Sequence, residues 1–287
     1  MASNKSLIIA HRGESHDAPE NTLAAVCLAW ERDADAVEID VHLTKDGRIV
    51  VIHDDNTLRT AQRYGEVAKL TLEQLRQLDV GRYKGKRWAK ERIPTLEEVL
   101  DTVPGGKKLF VEIKVDAGIL AELHRVLKRS SRSPDQVVLV GMDLHTMEIL
   151  KKALPRYHVY WVCSIKDEKK LATKGNPGEG VIARARQTGL DGLDIEASKK
   201  IDEKFIARVK GAGMKLYVWT VDDPGEARRL IAGGVDGIAT NRAHWLETRL
   251  GDDPDPVIKG SPAKGQSSAS AKEKKLKKKK AERGVTQ

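Results

Sequence analysis

Two cysteines in 287 residues, Cys27 and Cys163, are too few for a disulfide framework. Both fall inside apolar stretches, which points to a reduced, intracellular setting. Long hydrophobic runs are missing as well. The N-terminal segment has only four apolar residues in a row before His11, at positions 7–10. That is too short for a signal-peptide core, and no later run approaches the roughly 20 apolar residues of a membrane span. These absences predict a soluble, cytoplasmic protein without a transmembrane segment. No GxGxxG follows the first apolar run, which weakens an open dinucleotide-binding sheet. No His-x-His occurs there either, which argues against a metal-dependent amidohydrolase.

The surplus of charge is confined to one end. The chain carries +9, but residues 259–287 alone hold ten Lys or Arg against two Glu, a net of +8, which leaves about +1 for the first 258 residues. From residue 252 onward Pro, Ser, Gly and Ala give way to KEKKLKKKKAER, a composition expected to stay disordered. Such a tail can make weak contact with a polyanion or an anionic membrane through charge alone. Without interleaved aromatics to stack on bases, specific nucleic-acid recognition is not expected. A solvated end with no dedicated partner is the plainer explanation.

In residues 1–251 apolar β-type runs alternate with helical patterns. Strands are predicted at 7–10, 36–43, 109–115, 137–141, 159–163, 192–195, 216–221 and 237–240, with helices between and after them. Thr95 before Glu97 and Glu98, and Asp223-Pro224 before Glu226, suit helix N-termini, while Gly211, Gly213 and Gly233-Gly234 fall where helices should stop. Eight strand–helix units predict a single α/β domain, a closed (β/α)8 TIM barrel. Two segments break the rhythm. A short strand at 49–52 is expected to pair with the second strand through a turn at Asp46-Gly47. Residues 56–93 form a charged insertion with one helical stretch, TLEQLRQLD, expected above the catalytic mouth.

The chemistry concentrates between His11 and Asp54. Side chains alternate along a strand, so Glu38 and Asp40 share one face while Val37, Ile39 and Val41 take the other. Glu112, in the run LFVEIKV, repeats the arrangement on the next strand. Carboxylates at the ends of adjacent parallel strands converge on the C-terminal mouth of a barrel. All-oxygen ligation by Glu38, Asp40 and Glu112 suits a hard divalent cation, Mg²⁺ or Ca²⁺. His11 and His53 each end a buried-type strand beside this cluster and can exchange protons near neutral pH. Arg12 follows the first strand directly, and its planar fork suits a phosphate. Lys114 shares a face with Glu112, where a salt bridge and a phosphate contact are compatible roles. His42 lies one step further out than Asp40 and is expected at the rim.

These motifs resemble the glycerophosphodiester phosphodiesterase family. The matching pieces are His11-Arg12-Gly13 with Pro19-Glu20-Asn21-Thr22, then Glu38-Ile39-Asp40-Val41, Thr44-Lys45-Asp46-Gly47 and Val51-Ile52-His53-Asp54. The run from Ile93 to Leu100, Glu112-Ile113-Lys114 and Val218-Trp219-Thr220-Val221 follow in the same order. The resemblance implies metal-dependent hydrolysis of glycerophosphodiesters to glycerol 3-phosphate and an alcohol, through a cyclic phosphate, with His11 as base and His53 as acid or the two exchanged. It also implies that Trp219 lines a glycerol pocket, although an ordinary core position would equally suit an indole. At Thr240-Asn241 the chain departs from the family, which more often has Asp after the Thr. The expected consequence is confined to local structure or substrate edges. Rival readings are a related barrel phospholipase of the C or D kind acting on lipids or lysolipids, and a catalytically silent ligand-binding barrel.

Overall fold

Val, Ile and Leu recur along the strands, and the computed structural model, which describes residues 5–165 and 178–251, joins nine strands in one sheet. The strands are β1 (Leu7–His11), β2 (Ala36–Leu43), β3 (Ile49–Val51), β4 (Lys108–Ile113), β5 (Val137–Gly141), β6 (His158–Cys163), β7 (Gly192–Glu196), β8 (Lys215–Trp219) and β9 (Gly237–Thr240). All but β3 run parallel, and β1 pairs with both β2 and β9, so the sheet closes on itself. Helices α1 (Leu23–Glu31), α2 (Leu58–Ala61), α3 (Leu72–Arg76), α4 (Leu96–Thr102), α5 (Leu120–Arg129), α6 (Leu144–Ala153), α7 (Glu179–Gln187), α8 (Glu203–Gly211), α9 (Pro224–Gly233) and α10 (Ala243–Gly251) complete the described elements. The fold is the expected (β/α)8 barrel. The predicted Lys-rich tail, residues 252–287, lies outside the described residues.

Helix ends follow local chemistry. The Thr95 side chain accepts from Glu98 N while the Glu98 side chain bonds back to Thr95 N, a reciprocal cap. Asp223 caps α9, with Pro224 at its first position, and Gly234 ends it in the left-handed region. Two of the parallel barrel strands end short of expectation. β4 stops at Ile113 and β8 at Trp219, because Lys114 and the residues beyond Trp219 turn into the loops that build the mouth.

Apolar packing forms two layers. Val37, Ile39, Val41, Val111 and Leu139 face outward under the helices. Ile9, Phe110, Val138, Tyr160 and Tyr217 point inward and fill the barrel. Tyr217 lies edge-on to Phe110 at 5.0 Å and stacks on Tyr160 at 5.1 Å. This aromatic plug lies beneath the inward polar residues further along the strands, Asp40, Glu112 and Asp194.

The β2–β3 hairpin is antiparallel, as expected, with Val41 opposite Val51. The insertion at 56–93 has more apolar organisation than its charge suggests. Thr71 and Gln74 cap the short helix α3, and Leu75 joins Val50, Ile52, Val67, Leu78, Val80 and Ile93 in a small separate core. Two of its basic residues reach the loop that follows β1. There Lys84 Nζ donates to Ser15 O at 2.7 Å and Arg87 to Asp17 O at 3.0 Å.

Candidate active site at the C-terminal mouth of the barrel

Register brings the sequence-predicted carboxylates together. Glu38 lies opposite His11 on β1, and Asp40 lies opposite Glu112 on β4. Glu38, Asp40 and Glu112 each offer an oxygen within 4.8 Å of the others. All three are buried, Asp40 completely. Burial, followed by repulsion from Asp40 and Glu112, holds the Glu38 carboxyl well above its ordinary range. Burial likewise raises Glu112. Asp40 goes the other way: burial alone would raise it, but Lys114 and Arg12 outweigh that and bring it down to about 2. Glu38 Oε1 is buried with no hydrogen-bond partner. A buried oxygen left unpaired beside two further carboxylates fits a cation-binding position.

The two basic side chains touch the same cluster. Arg12 Nε lies 3.2 Å from Asp40 Oδ2, and its Nη1 donates to Glu20 Oε1 at 2.9 Å. Lys114 Nζ sits between Asp40 Oδ1 at 3.0 Å and Glu112 Oε1 at 2.7 Å. Arg12 adopts a left-handed backbone, φ 58°, which turns its N–H onto Glu38 Oε2 at 3.0 Å. Gly13 continues the turn with φ 77°, and a Cβ there would lie 2.6 Å from the Ala25 carbonyl carbon, so only glycine passes under α1. Asn21 braces Asp40, donating Nδ2 to Oδ2 at 2.8 Å and accepting the Asp40 N–H at 3.1 Å.

The two histidines have different partners. His11 Nε2 is 3.9 Å from Glu38 Oε2, and its Nδ1 is 2.8 Å from Asn241 Oδ1. Burial, then the Arg12 charge, lower the proton affinity of His11 and favour a neutral ring. His53 Nδ1 donates to Asp54 Oδ1 at 2.7 Å. Asp54 is held down to about 2 chiefly by its hydrogen bonds from Arg59, so its carboxylate is anionic. Arg59, on the insertion, also donates to both oxygens of Glu20. Arg12 and His53 are thus joined through Glu20, Arg59 and Asp54. His42 is not at the rim. It is buried and bonds the His53 carbonyl at 3.0 Å, bracing the strand end that carries His53.

Trp219 ends β8, packed partly against the aromatic plug, with Nε1 donating to Asp194 O at 3.3 Å. Asp194 on β7 escaped the sequence reading. Its carboxyl is buried, Oδ1 has no hydrogen-bond partner, and burial together with Glu112 pushes it up to about 8. The alternation of GLDIE places it on the inner face, but its distance in sequence from the other acids gives no hint that they meet. Arg59 gave no signal either, because the contact crosses from insertion to barrel. Asn241, whose effect was expected to stay within local structure or substrate edges, contacts His11 directly.

A closed parallel barrel whose C-terminal mouth joins three buried carboxylates, two basic side chains and two histidines defines a hydrolase barrel for anionic esters. Among the described residues no helix is long and apolar enough to cross a membrane. The model of the glycerophosphoryl diester phosphodiesterase family matches residues 11–244, and the chain belongs to that family. A glycerophosphodiester phosphodiesterase of Caldanaerobacter subterraneus subsp. tengcongensis is 33% identical over 263 residues, 88% of this chain and 97% of that protein. The putative glycerophosphodiester phosphodiesterase YhdW of Bacillus subtilis is 34% identical over 83% of this chain and 96% of its own length. Among solved structures, an Oleispira antarctica phosphodiesterase in complex with the product sn-glycerol-3-phosphate superposes with a TM-score of 0.75. It is 29% identical and covers 85% of this chain and 96% of its own.

Proposed function

We propose that this protein hydrolyses glycerophosphodiesters to sn-glycerol 3-phosphate and an alcohol, with His11 and His53 as the acid–base pair. The observation that carries this is the convergence of both histidines, Arg12 and Lys114 on the Glu38–Asp40–Glu112 cluster. Those three carboxylates would hold a divalent cation, Mg²⁺ or Ca²⁺, whose positive charge would lower the pKa of the glycerol 2-hydroxyl.

His11 serves as the first-step base. Its Nε2 faces the cluster, and a buried, neutral ring is in the state needed to take the hydroxyl proton. The hydroxyl oxygen then bonds to phosphorus, and the bond to the head-group oxygen breaks. His53 protonates the departing alkoxide, with its ring oriented by the hydrogen bond from Nδ1 to Asp54. Arg12 and Lys114, aligned by Asp40, offset the negative charge that builds on the phosphoryl oxygens. In a second step water opens the cyclic phosphate, with the two imidazoles exchanging roles. The Trp219 indole packs on the glycerol carbons.

The absence of a long apolar helix among the described residues is compatible with a cytoplasmic location. One observation favours a lipid-directed variant of the same chemistry: Leu58 and Tyr64 on the insertion are 53% and 63% exposed. The deciding experiment incubates the purified full chain with a panel of glycerophosphodiesters and lysolipids, with Mg²⁺ or Ca²⁺, and measures release of glycerol 3-phosphate from the diesters and of lysophosphatidic acid or monoacylglycerol from the lysolipids. Turnover of the small diesters supports the proposal. Turnover of lysolipids alone would transfer it to the lipid reading, and no turnover of either would overturn it.

A further inference from the structure

We propose that Asp222 and Asn241 are positioning residues that fix the tautomer and orientation of His11. The inference deepens the reading of His11 as the base and rests on it for its catalytic consequence.

The argument is one of donors and acceptors. Asp222 Oδ1 accepts from Thr240 Oγ1 and from Asn241 N, both at 2.8 Å. Its Oδ2 accepts from Asn241 Nδ2, also at 2.8 Å. An ionised carboxylate has no proton to give, so the amide nitrogen of Asn241 must face it. Burial opposes ionisation of Asp222, but hydrogen bonds from Asn241 and Thr240 outweigh burial and keep its proton affinity low. The amide oxygen therefore points at His11 Nδ1, 2.8 Å away, and also receives the Ser15 hydroxyl at 3.3 Å. A carbonyl oxygen only accepts, so Nδ1 carries the ring proton. In the neutral ring this leaves Nε2 bare, on the side of the carboxylate cluster. Turning the amide over would set its oxygen against the Asp222 carboxylate and its NH₂ against Nδ1, and would invert the tautomer. Thr240 Oγ1 and Asn241 N already anchor the loop to Asp222. The amide bond is the additional one, and it carries polarity from the end of β8 through β9 to His11 on β1.

The polarity can be exchanged without changing shape. Asp222→Asn leaves two carboxamides facing each other, either of which can turn over, so the instruction to His11 is lost. Asn241→Asp sets two carboxylates about 2.8 Å apart, which repel. In the double exchange the amide at position 222 still accepts from Thr240 and donates to the carboxylate at 241, and that carboxylate accepts from His11 Nδ1–H. Each single variant should therefore lose at least ~10-fold in kcat with KM little changed, because substrate-binding groups are untouched. The double exchange should recover to within ~3-fold of wild type.

The test uses the full chain loaded with Mg²⁺ or Ca²⁺. It combines steady-state kinetics of the four proteins and of His11→Ala with ¹⁵N NMR of the His11 ring. The wild type and the double exchange should show the Nδ1–H tautomer. Single variants with wild-type kcat, or a double exchange no better than the worse single, would overturn the relay. If the single variants fail to fold, an Nε2–H ring in the wild type alone would overturn it. Full turnover by His11→Ala would instead remove His11 from the mechanism, while the NMR result would still decide whether the relay sets its tautomer.

Discussion

Asp40→Asn changes almost no volume and removes one charge, and two opposite results are conceivable. It would relieve repulsion with Glu38 and Glu112, and it would leave Arg12 and Lys114 with less compensation. The structure decides the sign. Asp40 is held at about 2 instead of 3.8 although burial opposes this, so attraction to Lys114 and Arg12 exceeds repulsion within the cluster. At about 1.4 kcal/mol per pH unit, the charge contributes on the order of 2–3 kcal/mol to folding. Removing one partner of a buried pair can cost ~3–5 kcal/mol. Here Lys114 keeps Glu112 and Arg12 keeps Glu20, which places the loss at the lower end. The folded pKa lies below the unfolded one, so this stabilisation is complete above about pH 4 and is lost as pH falls through about 2. Urea unfolding of metal-free wild type and variant between pH 7 and pH 3 should show a penalty of about 2–3 kcal/mol at pH 7 that narrows below pH 4. The melting temperature should fall by about 5–10 °C at neutral pH. A variant as stable as wild type at pH 7, or a penalty unchanged at pH 3, would refute the reasoning.

His11→Ala and His53→Ala should each lower turnover by ~10²–10⁴-fold with the fold intact by circular dichroism; near-normal activity would take that histidine out of the mechanism. Chelation should abolish glycerol 3-phosphate release, and Glu38→Ala or Glu112→Ala should weaken metal affinity in calorimetric titration. Full activity of demonstrably metal-free protein would end the proposal of a cation at the cluster. A chain ending near Asp253 should keep the melting temperature and its turnover on small diesters, and lose only salt-sensitive binding to anionic vesicles. Unfolding of the shortened protein would show that the tail belongs to the barrel.

The barrel was legible because its signal is local and repeated. Alternation in AVEIDV settles which face of β2 is polar, whatever lies around it, and parallel pairing then carries Asp40 alongside Glu112. His11, Arg12, Glu38, Asp40, His53, Glu112 and Lys114 were identifiable from strand ends and periodicity, since the C-terminal end of each parallel barrel strand leads to the mouth and the β2–β3 hairpin returns His53 to it. The small core inside the insertion was hidden, because Val67, Leu75 and Val80 are spaced by no single period and find one another only through tertiary packing. Asp194, Arg59, Asp222 and Asn241 stayed illegible for the same reason. Each acts through a partner distant in the chain: Asn241 reaches His11 across 230 positions. A sequence specifies which residues face inward. Which inward carboxyl is ionised depends on distances that exist only in the folded barrel, and His11 meets the Asn241 amide only after β9 has closed against β1.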